Sequence, residues 1–254
     1  MESMRGSAVV VTGAGAGIGA ALARRFAAEG ARVAVNDADP ARARAVAREI
    51  DGIAVPGDAT TIAPAARAAL GGTVDVYCAN AGSAGPGDAY ADEDVWATAW
   101  EVNVMAHVRA VRELLPGWLA RGEGRFVATV SAAGLLSMIG AAPYSATKHA
   151  AYAHAEWLSL TYRHRGLKVH AICPSGVRTE MLTAAGTAGE LVLEPGAIEP
   201  EAVADALFEG IAADRFLILP HPDVARFRQG RAADPDRWLA GMNRVQRRWE
   251  GAPE

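Results

Sequence analysis

Lysine is almost absent from this 254-residue chain: Lys148 and Lys168 are the only two, and every other basic side chain is Arg. Cysteine is equally scarce. Cys78 and Cys173 stand at the ends of apolar runs, outside any CxxC or Cys/His ligand spacing, which excludes a disulfide framework and predicts reduced core thiols in a cytoplasmic protein. The six histidines are scattered without an HExxH, so no metal site is expected. No apolar run reaches the roughly 18 residues of a membrane span. The opening "MESMRGS" is short and polar, so neither secretion nor membrane insertion is expected. A formal net charge of −4 leaves no electrostatic footprint for nucleic acid. The Arg clusters at 163–165 and 246–248 read as solvated helix faces or subunit contacts. No Pro/Gly/Ser-rich linker divides the chain, and a single domain over residues 1–254 is expected.

What is present is apolar residues in short runs, 51% of the chain against 21% charged, enough for a large core. "SAVVVT" (7–12), "RVAVN" (32–36), "IAVPG" (53–57), "VDVYCA" (74–79), "RFVATV" (125–130), "KVHAIC" (168–173) and "FLIL" (216–219) read as strands. Helical patterns separate them: 18–30, 40–50 opened by Pro40, 62–70, a long helix over 93–121, 143–165 and 200–213. Strands that are apolar throughout, alternating with helices, predict an α/β fold of the Rossmann type. It would be a doubly wound sheet of about seven parallel strands with helices on both faces. Residues 220–254 form a C-terminal extension. Trp238, Met242, Val245 and Trp249 recur there at helical spacing, giving one amphipathic helix that must pack on its own subunit or a neighbour.

The first strand runs into "TGAGAGIG", residues 12–19. Gly13 permits a tight turn, Gly17 lets a pyrophosphate approach the helix N-terminus, and Gly19 lets helix and strand pack closely. Asp37 ends the second strand, twenty residues past Gly17, where its carboxylate can accept from the ribose hydroxyls of an adenosine. The same carboxylate would repel a 2′-phosphate. Ala14, Ala16 and Ala38 offer no cation to receive one, so NAD is expected over NADP.

"PYSATKHA" (143–150) places Tyr144 and Lys148 four residues apart, hence on one helix face. Together with the TGxxxGxG spacing of the turn, this motif resembles the short-chain dehydrogenase/reductase family, and the resemblance covers most of the chain. "ANAG" (79–82) is similar to the family segment that stabilises the sheet and lines the cofactor, through Asn80, Ala81 and Gly82. "GDAT" (57–60) resembles the turn beside the adenine, making Asp58 and Ala59 contacts there. "EVNVMAHV" (101–108) carries Asn103 at the family's catalytic asparagine, and "VSAAG" (130–134) carries Ser131 thirteen residues before Tyr144. "CPSGVRTEM" (173–181) resembles the nicotinamide-contact segment through Pro174, Val177 and Thr179, with Ser175 where the family usually has glycine. Ile18 joins the implied cofactor contacts in the glycine turn.

The resemblance implies a catalytic set of Asn103, Ser131, Tyr144 and Lys148. A free phenol titrates near 10 and is a poor base. A neighbouring ammonium and a cationic nicotinamide would both lower it, letting Tyr144 exchange the substrate's hydroxyl proton. Lys148 would supply that charge and hold the ribose, a compact role ill suited to the broad guanidinium of Arg. Ser131 would orient the substrate oxygen, and Asn103 would help retain a water linking Lys148 to solvent. Residues 180–198 would form an apolar substrate lid. With Ala133, Met181, Leu182, Leu191, Val192 and Leu193 near the substrate, an uncharged hydrophobic alcohol or ketone is expected, alicyclic, aromatic or terpenoid. In this family the helices bearing Asn103 and Tyr144 commonly pair between subunits, so a homotetramer is expected, with a dimer next. The alternatives are an NAD-binding sensor or scaffold with little turnover, and a dehydratase or epimerase of the same family.

Overall fold

The computed structural model describes residues 4–85, 87–184 and 193–251. The lid residues Leu191 and Val192 lie outside the described residues. Seven parallel strands form one sheet in the order β3-β2-β1-β4-β5-β6-β7. They are β1 Ala8–Val11, β2 Arg32–Val35, β3 Ile53–Ala54, β4 Val76–Ala79, β5 Gly124–Thr129, β6 Leu167–Ile172 and β7 Leu217–Ile218. The order reverses between β1 and β4, and in such sheets that is where a crevice opens at the strand C-termini.

The central strands are apolar throughout because both faces are covered. Val9 and Val11 point into one core with Val76, Cys78, Val127 and Ile172. Helices α1 (Gly17–Ala28), α2 (Pro40–Glu49) and α8 (Pro200–Ala212) close that face. Val10 points the other way, into a core with Tyr77, Phe126, Ala128 and Ala171. Helices α3 (Ala63–Ala69), α5 (Ala106–Arg121) and α6 (Ala142–Tyr162) cover it. Trp118 of α5 is fully buried there and donates its indole N–H to the Val74 carbonyl at 2.8 Å, satisfying the one polar atom it carries into the core. Both cysteines are buried free thiols, and burial holds the Cys173 thiol up to about 12.

Three elements differ from the sequence expectation. The helix expected over 93–121, with a break or bend near its ends, is interrupted further in, giving three pieces: α4 (Glu93–Trp100), a π-helical turn (Glu101–Met105) and α5. The third strand is only two residues long, because Pro56 cannot donate to a ladder and Gly57 takes φ 145°. The C-terminal extension holds two helices instead of one, α9 (Pro222–Ala233) and α10 (Pro235–Trp249). Val224 of α9 is buried in the main core. The apolar stripe of α10 packs within the subunit: Trp238 meets Phe227 at 5.9 Å, and the Trp249 ring lies against Gly140. Among the described residues, no helix is long and apolar enough to cross a membrane, and no three His, Cys, Asp or Glu side chains gather as a metal site.

Candidate active site

The turn after β1 is held by Thr12. Its hydroxyl accepts from the Asn80 and Ala81 backbone N–H groups at 3.0 Å, and the Asn80 side chain returns a bond to the Thr12 carbonyl at 2.9 Å. The 80–82 segment is thereby locked onto the glycine turn. Gly13 sits at φ 60°, and a Cβ there would lie 2.9 Å from the Ala81 Cα. At Gly19 a Cβ would lie 2.1 Å from the Gly13 carbonyl oxygen, so no other residue fits. Gly15, unremarked in the sequence, is as tightly bound: a Cβ would fall 2.7 Å from the Asp37 carboxylate and 2.6 Å from the Arg42 Cβ.

These contacts leave the N-terminus of α1, starting at Gly17 and Ile18, without a side-chain cap and without an acidic residue in its first turn. Bare amides and a positive dipole end fit an anion such as a pyrophosphate. Asp37 borders the same crevice. One carboxylate oxygen accepts from Gly15 N–H and the other from Asp39 N–H, each at 2.9 Å, which fixes its orientation and leaves lone pairs for ribose hydroxyls. Asp58 is exposed and accepts from Thr60 N–H at 2.8 Å, with Ala59 half-buried beside it. The residues present fit a dinucleotide.

At the other end of the crevice, Tyr144 and Lys148 share a face of α6. The Lys148 side chain is buried, donates to the Thr129 carbonyl at 2.9 Å and lies 5.6 Å from the centre of the Tyr144 ring. Ser131 follows β5, accepts from Ala133 N–H at 3.1 Å and hydrogen-bonds the Tyr144 side chain. Asn103 sits in the π-helical turn and is fully buried. Its amide donates to the Ser83 carbonyl and to the Thr147 hydroxyl, both at 3.0 Å, and its carbonyl oxygen accepts from Ser83 N–H at 2.9 Å. Both amide hydrogens of Asn103 are thus used by protein partners, while its carbonyl oxygen keeps one lone pair.

Burial raises the Tyr144 phenol above its ordinary value, and the Ser131 hydrogen bond opposes this only in part. Burial also lowers Lys148 to about 8, because a buried ammonium loses its hydration.

The nicotinamide-contact segment lies beside this group. Pro174 accepts from Ala132 N–H at 2.7 Å, tying the end of β6 to the Ser131 loop. Ser175 does not take a left-handed backbone, so the position does not demand glycine. Its N–H donates to His221 Nδ1 at 3.1 Å, while His221 Nε2 contacts the Gly176 carbonyl at 3.0 Å. One neutral tautomer, protonated on Nε2, satisfies both. Val177 is buried and pairs with Ile198, and the Thr179 methyl meets the position a Cβ would take on Gly17, at 2.9 Å. Helix α7 (Glu180–Ala184) follows, with Met181 exposed and Leu182 half-buried; Ala133 is buried across the cleft. Leu193 is half-buried at the far end of the lid. Sequence reasoning missed Thr12, Gly15, Arg42, Thr147 and His221. Only Thr12 carried a signal, as the last residue before the glycine turn.

Residues 7–189 match the protein family described as short chain dehydrogenase. A 1-deoxy-11-beta-hydroxypentalenate dehydrogenase of Streptomyces exfoliatus is 35% identical over 239 residues, 85% of this chain and 84% of that protein. A putative ketoacyl reductase of Streptomyces coelicolor is 34% identical over 71% of this chain and 74% of its own. Among solved structures, a short chain dehydrogenase/reductase from Burkholderia phymatum in complex with NAD superposes with a TM-score of 0.85 at 28% identity, covering 93% of this chain and 96% of that one. One from Sphingobium yanoikuyae in complex with NADPH gives 0.76 at 26% identity, over 90% and 96%.

Proposed function

The chain belongs to the short-chain dehydrogenase family, and from that premise we propose that it interconverts a hydrophobic secondary alcohol and its ketone, with NAD as the preferred cofactor and Tyr144 as the acid–base group. The observation that carries this reading is the convergence of Tyr144, Ser131 and Lys148 in the crevice that the glycine turn borders, with Ser131 near enough to act on the phenol and the Lys148 ammonium 5.6 Å from its ring. Gly13, Gly17, Ile18 and Gly19 would hold the pyrophosphate, Asp37 the adenosine ribose, Lys148 the nicotinamide ribose, and Val177 and Thr179 the carboxamide. When bound, the dinucleotide exchanges the hydride and in its oxidised form brings a positive charge into the site.

Tyr144 does the rest of the work. With its phenol raised by burial it keeps its proton near neutrality, which suits it to protonate the oxygen of a ketone being reduced. For alcohol oxidation the phenol must first ionise, and then takes the hydroxyl proton as the carbonyl forms. The Lys148 ammonium and the cationic ring would both favour that ionisation, offsetting the burial that opposes it. Ser131 orients the substrate oxygen toward Tyr144. Asn103 acts through position: its bond to Thr147 sets the helix that carries both Tyr144 and Lys148.

Apolar residues beside Ser131 support the hydrophobic substrate class. Ala132 and Leu136 are partly buried apolar groups after Ser131, with Ala133 and Leu135 buried among them. The related dehydrogenase and ketoacyl reductase bear names that describe hydroxyl and keto chemistry. A homotetramer, or a dimer, is favoured by the exposed Trp96 and Trp100 of α4 and Trp157 and Leu160 of α6, apolar area that a partner subunit would cover. The test is the appearance of reduced nicotinamide with NAD or NADP over a panel of hydrophobic secondary alcohols. Turnover with NAD that disappears in Tyr144→Phe supports the reading. Tight NAD binding without turnover in either direction across diverse substrates would sink it in favour of a sensor.

A further inference from the structure

The corner of the crevice where an adenosine 2′ position would lie holds a cation that the sequence did not announce. Arg42, in the first turn of α2, sets its Cβ against Gly15, where the Asp37 carboxylate also lies. Its guanidinium does not stand free. Nη1 donates to Glu180 Oε2 at 2.9 Å, and Nε lies 3.5 Å from Asp39 Oδ2. Glu180 opens α7, directly after Thr179, whose methyl rests on Gly17. The ion pair therefore spans the crevice, from the adenosine side on α2 to the start of the lid. Glu180, Asp39 and Asp37 all favour the charged guanidinium, in that order of strength.

We propose that Glu180 is a cofactor-specificity residue: by holding Arg42 in this ion pair it withholds a nearby guanidinium that could receive a 2′-phosphate, and so reinforces the discrimination that Asp37 begins. The inference rests on reading the glycine turn as a dinucleotide site. An arginine fork is well shaped to grip a phosphate. Here three carboxylates surround it, so a 2′-phosphate entering this corner meets net negative charge and must displace Glu180 to gain a partner. NAD carries a neutral 2′-hydroxyl, needs no such displacement and is served by Asp37. Arg42 and Glu180 are both substantially exposed, with side chains 46% and 73% accessible, so solvent screens the pair and its contribution is modest.

The experiment is calorimetric titration of the full chain with NAD and with NADP, in the absence of substrate, for the parent, Glu180→Gln, Arg42→Gln and the double variant. An exposed pair of this kind is worth at most roughly fivefold in affinity. Glu180→Gln is expected to tighten NADP binding by about that factor and leave NAD binding unchanged. The gain should vanish in the double variant, because it requires the released guanidinium. Both positions are solvent-accessible, and a thermal melt confirms that each variant folds. An unchanged NAD/NADP ratio in Glu180→Gln overturns the proposal, as does a gain that survives loss of Arg42. Failure of the parent to bind either nucleotide overturns the dinucleotide reading itself, and this proposal with it.

Discussion

The Asn103 carboxamide donates to the Thr147 hydroxyl at 3.0 Å, joining the π-helical turn between α4 and α5 to the residue that precedes Lys148. Thr147 in turn donates back to the Pro143 carbonyl at 2.8 Å, one residue before Tyr144. Thr147→Val keeps the shape and removes the acceptor, leaving a buried amide N–H unpaired. The expected cost is about 1–3 kcal/mol of stability. Steady-state kinetics should show kcat falling more than NAD affinity, since the cofactor contacts of the glycine turn are untouched.

Tyr144→Phe removes only the hydroxyl from a ring that stays packed against α6. Turnover is expected to fall by roughly 10²–10⁴, the usual contribution of a positioned acid–base group. Calorimetry should show NAD binding retained. Equal activity in parent and variant would remove Tyr144 from the mechanism.

Two buried histidines make the fold acid-sensitive. His107 has both ring nitrogens without a hydrogen-bond partner among the described residues, and burial lowers it to about 3; His170 is lowered to about 4, chiefly by burial. Both are neutral in the fold, whereas the unfolded chain protonates them near 6.5. Above that pH they contribute no pH dependence. As the pH falls from 6.5 toward 4, stability should be lost at up to about 1.4 kcal/mol per pH unit for each. Urea unfolding at neutral and mildly acid pH measures this. His107→Leu should flatten the decline, and an unchanged slope would remove His107 as a cause.

Gly19→Ala and Gly15→Ala separate fold from site. At Gly19 the new methyl meets a backbone carbonyl at 2.1 Å that cannot yield, and a loss of about 3 kcal/mol is expected. At Gly15 it meets the Arg42 Cβ at 2.6 Å, which moves only with the α2 backbone, and the Asp37 carboxylate at 2.7 Å, which can rotate away. That variant should melt below the parent, though less so than Gly19→Ala, and bind NAD more weakly because Asp37 is displaced.

Trp249→Ala uncovers Gly140, in the loop that leads to Tyr144. Helix α10 buries no residue fully, so the melting temperature should change little. Substrate KM should rise while NAD affinity holds. A large loss of stability would instead make α10 a structural prop.

The doubly wound sheet was legible because short apolar runs at helix-length intervals leave few other ways to bury both faces. Tyr144 and Lys148 were legible for a local reason, since i and i+4 share a helix face whatever surrounds them. The glycine turn was legible in the same way, from strand, spacing and the acid at 37. Tertiary structure decided what depends on partners distant in sequence. Asn103 became a structural clasp because Ser83 and Thr147 close on it, and the same contacts accompany a π-helical turn that no local periodicity marks. Tyr144 is raised because burial, a property of the whole fold, outweighs the neighbouring Ser131. Arg42 reached the adenosine corner because α2 folds back onto Gly15, which also put it within reach of Glu180, 138 residues away. Periodicity and adjacent motifs travel with the chain; long-range hydrogen bonds, desolvation and ion pairs exist only once it has folded.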